Sequence, residues 1–137
     1  QNFELITAIE VIEHLRNPGW FLREASRHMT GTSRLLITTP NNASLYARLK
    51  YLFTLRLPHF DNHGDATHIY PVIPEIFTRI TADQGLELAN SWTYPASRGG
   101  FQTRAITRLL IAATRPFLRN PLPGDIFCMA LRKRTGT

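Results

Sequence analysis

Short apolar runs alternate with helical patterns along this chain. Residues 3–9 form an apolar run of the length expected for a strand buried on both faces of a parallel sheet. Asn17 and Pro18 then start a helix, because Asn can cap free amides and proline is tolerated at the first helical position, and Gly31 is the predicted stop. Residues 33–39 read as a second buried strand. Strand, helix and strand in this order predict a right-handed parallel crossover.

The second half of the chain continues the alternation. Pro74 and Glu75 open a helix that Gly85 closes. Residues 86–94 then alternate with the period of two expected of a strand, and residues 125–132 form a last strand. Helices that alternate with strands in this way are typical of an α/β sheet with helices on its faces, and this is the predicted fold class.

Two further segments are predicted to be helical. Apolar residues recur at helical spacing from Ala43 to Leu55, inside a connection of about residues 42–70. A basic amphipathic helix is predicted over about residues 101–119. Such a helix either covers the core, which is the favoured interpretation, or lies on an anionic membrane. Its basic side is formed by Arg104, Arg108, Arg115 and Arg119.

Net charge and cysteine content do not identify the binding partner. The chain carries 16 Lys and Arg against 10 acids, a net charge of +6 that is compatible with anionic lipid, nucleic acid or an acidic substrate. There is no apolar run long enough for a membrane span and no signal-peptide pattern, so a cytoplasmic location is expected, with peripheral membrane attachment through the basic helix as the alternative. The lone Cys128 excludes an internal disulfide and is expected to be a buried structural thiol.

Two motifs resemble class I S-adenosylmethionine-dependent methyltransferases. Residues 3–18 read Phe-Glu-Leu-Ile-Thr-Ala-Ile-Glu-Val-Ile-Glu-His-Leu-Arg-Asn-Pro, and residues 33–41 read Ser-Arg-Leu-Leu-Ile-Thr-Thr-Pro-Asn. The pairing of Glu-x-x-Glu-His-Leu with Thr-Pro-Asn is specific, and is similar to the ubiquinone-pathway O-methyltransferases of that class. The segment beginning at His68 resembles the helix before strand six. The resemblance implies a partial Rossmann-like, doubly wound sheet that holds strands four to seven, the last of them antiparallel.

The resemblance also indicates what the chain lacks. Nothing matches the glycine-rich loop after the first strand or the acidic residue after the second, which in this family hold most of the cofactor S-adenosylmethionine. Residues 1–137 are therefore expected to be the C-terminal part of a single methyltransferase domain, with the N-terminal cofactor-binding half of that domain as their missing partner. Alone, such a chain is expected to be inactive and to associate through the bare edge of its first strand.

The resemblance places the cofactor at the end of the first strand. Ala8, Ile9 and Glu10 are expected to border its methionine moiety and methyl group. Methyl transfer is an in-line displacement at carbon, so the protein aligns the reactants and, for a hydroxyl acceptor, removes a proton. Glu10 and His14 are the catalytic candidates. The residues expected to face the acceptor are His14, Asn41 and His68, and for Asn41 a turn-forming role is an equal alternative.

A divalent metal site is a further hypothesis. Glu10, Glu13 and His14 stand at i, i+3 and i+4, so on a helical turn they would project from one face. His68 resembles a distant histidine of the magnesium-binding small-RNA 2′-O-methyltransferases, and with it the set could hold Mg²⁺ or Mn²⁺. In the favoured alternative no metal binds, the acid caps the next helix and the histidine packs or borders the acceptor. Ligand-type side chains also occur in the loop at His59, Asp61, His63 and Asp65, where solvated polarity is the favoured explanation.

Three functions remain open at this point. The leading hypothesis is a methyltransferase that acts on a small molecule, at oxygen. The second is a metal-dependent RNA 2′-O-methyltransferase, which the positive charge and the set of two glutamates and two histidines favour, although no RNA-binding motif is recognised. The third is a non-catalytic truncated domain or interaction module.

Overall fold

The computed structural model describes residues 1–61, 64–94, 113 and 124–134. A single 3₁₀ turn, Ile12–His14, follows the first strand. The strands are β1 (Phe3–Ile9), β2 (Met29–Pro40), β3 (Leu86–Tyr94) and β4 (Ile126–Lys133), and the helices are α1 (Pro18–Arg27), α2 (Leu45–Thr54) and α3 (Pro74–Asp83).

The four strands form one sheet in the order β1-β2-β4-β3. β1 and β2 pair in parallel, whereas β4 pairs antiparallel with both β2 and β3. Because β4 opposes both of its neighbours, the other three strands all run in one direction. The predicted α/β sheet with an antiparallel last strand is confirmed.

Helix α1 begins as predicted but ends early. The Asn17 side chain accepts a hydrogen bond from the Trp20 backbone amide. The helix closes at Arg27, where the next amide donates to the Ala25 carbonyl, and β2 starts only two residues later at Met29. The predicted stop at Gly31 is wrong, because Met29 is buried as a strand residue and Gly31 lies inside β2.

The core lies where α1 and α3 pack against the sheet. Leu35 and Ile37 of β2 are fully buried, as alternate residues on one face of a strand should be. The other members of this core that expose 2% or less are Ala8, Ile12, Leu22, Met29, Val72, Phe77, Leu86, Met129 and Leu131. The predicted buried thiol is confirmed: Cys128 lies inside β4, and burial raises its pKa. Packing of this core positions the ends of β1 and β2.

β1 is an outer strand of the sheet. In the described part of the chain it pairs only with β2, and three of its large apolar side chains are exposed, namely Phe3, Leu5 and Ile9. Among the described helices none has the length and apolarity needed to cross a bilayer. The predicted basic helix over residues 101–119 lies outside the described residues, except for Ala113.

Candidate functional site

The site begins at Glu10, directly after β1. Its backbone amide donates to the carbonyl oxygen and to the hydroxyl of Thr38, each at 3.1 Å. The Thr38 hydroxyl in turn donates to Glu10 Oε1 at 2.9 Å. Glu10 has φ of +51°, a left-handed conformation that is uncommon for a residue with a side chain. Such strain concentrates at functional sites, and here it lies at the sheet edge where open α/β proteins bind ligands.

The two glutamates do not share one helical face, although their carboxylates lie near each other. Glu10 lies before the turn in its left-handed conformation, so Glu10, Glu13 and His14 do not form one helical stripe. Glu13 is fully buried, while His14 is half-buried. The predicted four-residue metal set is therefore assembled only in part: Glu13, His14 and His68 each offer a ligand atom within 4.8 Å of the others, and Glu10 is not among them.

His68 reaches this cluster because its loop is tied to the turn. The amides of Ile69 and Tyr70 both donate to the Glu13 carbonyl at 2.9 Å. The rings of His14 and His68 meet edge to face with centroids 4.7 Å apart. The Phe60 ring packs against the His68 ring with centroids 5.4 Å apart. Two segments more than 50 residues apart in sequence thus form one site.

Electrostatics single out the Glu13 side chain. Neither of its carboxylate oxygens has a hydrogen-bond partner among the described residues. Burial raises the pKa of Glu13, its own backbone amide opposes that rise, the nearby Glu10 carboxylate raises the pKa further, and the charge of His14 lowers it. Buried polar groups are nearly always paired, so an unpaired carboxylate calls for a functional explanation such as an ion or a reacting group.

Both histidines are held by the loop through Nδ1. His14 Nδ1 lies 2.8 Å from the Thr67 hydroxyl and 3.2 Å from the Thr67 carbonyl oxygen. His68 Nδ1 lies 3.0 Å from the His59 carbonyl oxygen. Within the described residues, no hydrogen bond engages Nε2 of either ring. The Nε2 atoms are therefore the ones available for chemistry.

The predicted cofactor contacts occupy two environments. Ala8 is buried in the core, whereas Ile9 is 54% exposed at the end of β1. Cofactor contact by Ala8, Ile9 and Glu10 stays a prediction. The side chain of Ala8 faces the core.

Asn41 and the ligand-like loop have protein partners. The Asn41 side chain donates to the Gly124 carbonyl at 2.9 Å and accepts from the Ala43 amide at 3.1 Å, as expected of the turn-forming alternative. In the loop, Asp61 accepts from Lys50 at 2.6 Å and Asp65 accepts from the Thr67 hydroxyl. The carbonyl of His59 binds His68, and His63 lies outside the described residues. Acceptor contact by Asn41 stays a prediction.

Sequence reasoning missed two residues of the site, Thr38 and Thr67. Thr38 lies 28 residues from its partner Glu10, and Thr67 lies 53 residues from its partner His14. The Asp-x-Thr spacing of residues 65–67 is a turn signal, but it does not indicate which ring the turn will meet. No local pattern could have placed either residue here.

Several solved methyltransferase structures resemble this chain. A SAM-dependent methyltransferase from Archaeoglobus fulgidus gives a TM-score of 0.56 at 19% identity, and the match covers 96% of this chain and 60% of that one. The CcbJ methyltransferase from Streptomyces caelestis gives 0.60 at 11% identity, covering 98% and 59%. The mitomycin 7-O-methyltransferase MmcR gives 0.55 at 12% identity, covering 97% and 30%. At these identities the likeness shows the fold, and it confirms the predicted partial Rossmann-like methyltransferase sheet.

The family is established by sequence. The chain spans about three fifths or less of each of these three structures. No curated protein matches it. A family described as "Methyltransferase domain" matches residues 1–100 of the 137. Because that match covers well over half of the chain, the chain belongs to the methyltransferase domain family.

Proposed function

We propose that the protein transfers a methyl group from S-adenosylmethionine to an oxygen atom of a small-molecule acceptor. Family membership supports methyl transfer. The observation that carries the proposal is the rigid strand end at Glu10, followed within four residues by a half-buried imidazole whose Nε2 has no hydrogen bond among the described residues. A base beside the methyl donor is what a hydroxyl acceptor requires. One protein of similar fold is named a mitomycin 7-O-methyltransferase, an instance of such a reaction.

Each site residue of this chain has a distinct role in the proposed reaction. S-adenosylmethionine, when bound, supplies the electrophilic methyl group. Ile9 and Glu10 would hold its methionine end, because they stand at the ligand-binding edge of the sheet. His14 would accept the acceptor's hydroxyl proton at Nε2, since Nδ1 is engaged by Thr67. His68 packs edge to face against His14, and Phe60 packs against His68, so that His68 limits the orientations open to the His14 ring.

Calorimetric titration of S-adenosylhomocysteine into the full-length protein, combined with steady-state kinetics of His14→Ala, tests the proposal. We expect cofactor-product binding to be retained in the variant and kcat to fall by roughly 10²- to 10⁴-fold, the usual contribution of a general base. His28→Ala is the matched control, because His28 is an exposed histidine whose ring contacts the Gln1 carbonyl oxygen and Phe3, at the opposite end of β1 from Glu10. An unchanged kcat in His14→Ala would show that His14 is not the base. No binding by a folded protein would favour the non-catalytic alternative.

A second candidate is a metal-assisted version of the reaction. It is favoured by the convergence of Glu13, His14 and His68 and by the two unpartnered carboxylate oxygens of Glu13. Without Glu10 the set holds two imidazoles and one carboxylate, which suits Mn²⁺ or Zn²⁺ better than the oxygen-seeking Mg²⁺. A cation there would lower the pKa of a bound hydroxyl.

Chelation separates the two candidates. Activity that is lost in EDTA and restored by Mn²⁺ in the parent, but not in Glu13→Gln, would favour the metal, with Glu24→Gln as the surface control. Activity that survives EDTA would favour the candidate in which His14 acts as a base without a metal. The assay is run with hydroxyl-bearing small molecules and with RNA ending in a 2′-hydroxyl, because methylation of RNA alone would favour the RNA alternative.

A further inference from the structure

The contacts around Thr67 determine where the proton of His14 resides. The Thr67 hydroxyl donates its single proton to Asp65 Oδ1 at 2.6 Å. It therefore meets His14 Nδ1, 2.8 Å away, as an acceptor, and the Thr67 carbonyl oxygen at 3.2 Å can only accept. Two acceptors face one ring nitrogen, so that nitrogen carries a proton.

Asp65 secures the direction of this chain of hydrogen bonds. Hydrogen bonds from the Thr67 hydroxyl and amide hold the pKa of Asp65 below its ordinary range, so Asp65 is a carboxylate and has no proton to return. The hydroxyl then remains an acceptor toward His14. His68 is held in the same way, because its Nδ1 faces the His59 carbonyl oxygen.

We propose that Thr67, anchored by Asp65, is a positioning residue that holds His14 in the tautomer protonated at Nδ1. Nε2 is then the unprotonated atom and can accept a proton or a cation. Neutral imidazole in water prefers the opposite tautomer, so the loop selects the less common form. The consequence for catalysis rests on the proposed function, whereas the tautomer itself depends only on the loop. A turn that merely closed the loop would have no effect on the tautomer.

The tautomer is measured by ¹⁵N-resolved NMR of the imidazole rings in the full-length protein at about pH 9, where histidines in general are neutral. We expect the Nδ1–H form for His14. Asp65→Ala frees the Thr67 hydroxyl to donate to Nδ1 and is expected to move His14 toward the Nε2–H form, whereas Asp65→Asn keeps an acceptor and restores the parent spectrum. Thr67→Val should shift the tautomer in part, because the backbone carbonyl remains, and Thr67→Ser should restore it.

Kinetics of the same variants complete the test. Loss of a group that orients a reacting imidazole costs roughly 10- to 100-fold, so kcat should fall by that factor in Asp65→Ala with KM little changed. The Nε2–H form in the parent, or an unchanged tautomer in both Asp65→Ala and Thr67→Val, would overturn the proposal. If the variants shift the tautomer but His14→Ala loses no activity, the tautomer assignment stands and His14 is not the base. The ring signals of His28, remote from this loop, serve as the internal reference.

Discussion

Replacing Glu13 with methionine is expected to stabilise the full-length protein in the absence of metal. The Glu13 side chain is fully buried, and both carboxylate oxygens lack partners among the described residues. Methionine is similar in length, carries no charge and adapts to irregular space. The variant therefore removes an unsatisfied buried group without opening a cavity. The Glu13 backbone carbonyl, which holds Ile69 and Tyr70, is kept.

The expected gain follows from the cost of an unsatisfied buried group. That cost is about 1–3 kcal/mol, and more for a charged group, so the free energy of unfolding near neutral pH should rise by about 1–3 kcal/mol. Urea unfolding in EDTA, followed by circular dichroism, measures the change. Glu24→Met, at a side chain 30% exposed, is the control and should change stability by no more than about 0.5 kcal/mol.

The pH dependence of the gain tests its cause. Burial raises the pKa of Glu13 above its ordinary value of 4.5, so the folded state binds this proton more tightly than the unfolded state. The stabilisation from the protonated form is complete below pH 4.5 and is lost as the pH rises through the raised pKa. The advantage of Glu13→Met should therefore be smallest in acid and level off toward neutral pH. A variant less stable than the parent by more than about 1 kcal/mol at neutral pH would refute the reasoning, since it would mean that Glu13 is satisfied in solution.

Two further predictions concern the frame around the site. Asn17→Ala removes the hydrogen bond that the Trp20 amide donates to the Asn17 side chain, 2.9 Å long, and should lower the free energy of unfolding by about 1 kcal/mol, while Asn17→Asp keeps the cap. Leu35→Ala, at a fully buried position of β2, should cost about 2–5 kcal/mol in urea unfolding. Leu52→Ala on α2, where the side chain is 69% exposed, should cost no more than about 0.5 kcal/mol; equal losses at the two leucines would contradict the assignment of the core.

Elements whose boundaries are marked by nearby residues could be predicted from sequence. The strand at residues 3–9 and the strand at residues 86–94 have the bounds that their patterns indicate. α3 starts at Pro74 as expected, and Gly85 after its end takes a φ of +70° that favours glycine. These signals reside within a few residues of the boundary that they define.

The end of α1 could not be predicted in this way. Met29 continues the apolar spacing of the helix, so the pattern alone assigns it to the helix. In the structure it pairs with Phe3 and is 2% exposed, which only the position of a distant strand decides. The same limit applies to Glu10, whose left-handed backbone is fixed by Thr38 on the neighbouring strand. Contacts between distant segments decide both cases.

Glu13 links the stability of this site to its chemistry. Its carbonyl accepts two backbone amides and fixes the loop that carries His68, while its carboxylate accepts none among the described residues. A residue whose main chain stabilises the fold and whose buried side chain opposes it is expected where the side chain serves a reaction or an ion. Because Glu13→Met keeps the first contribution and removes the second, a variant that is more stable but inactive would assign the carboxylate to function. A variant that is more stable and fully active would show that no metal ligand is needed at the Glu13 carboxylate. His14 would then be the remaining reactive group.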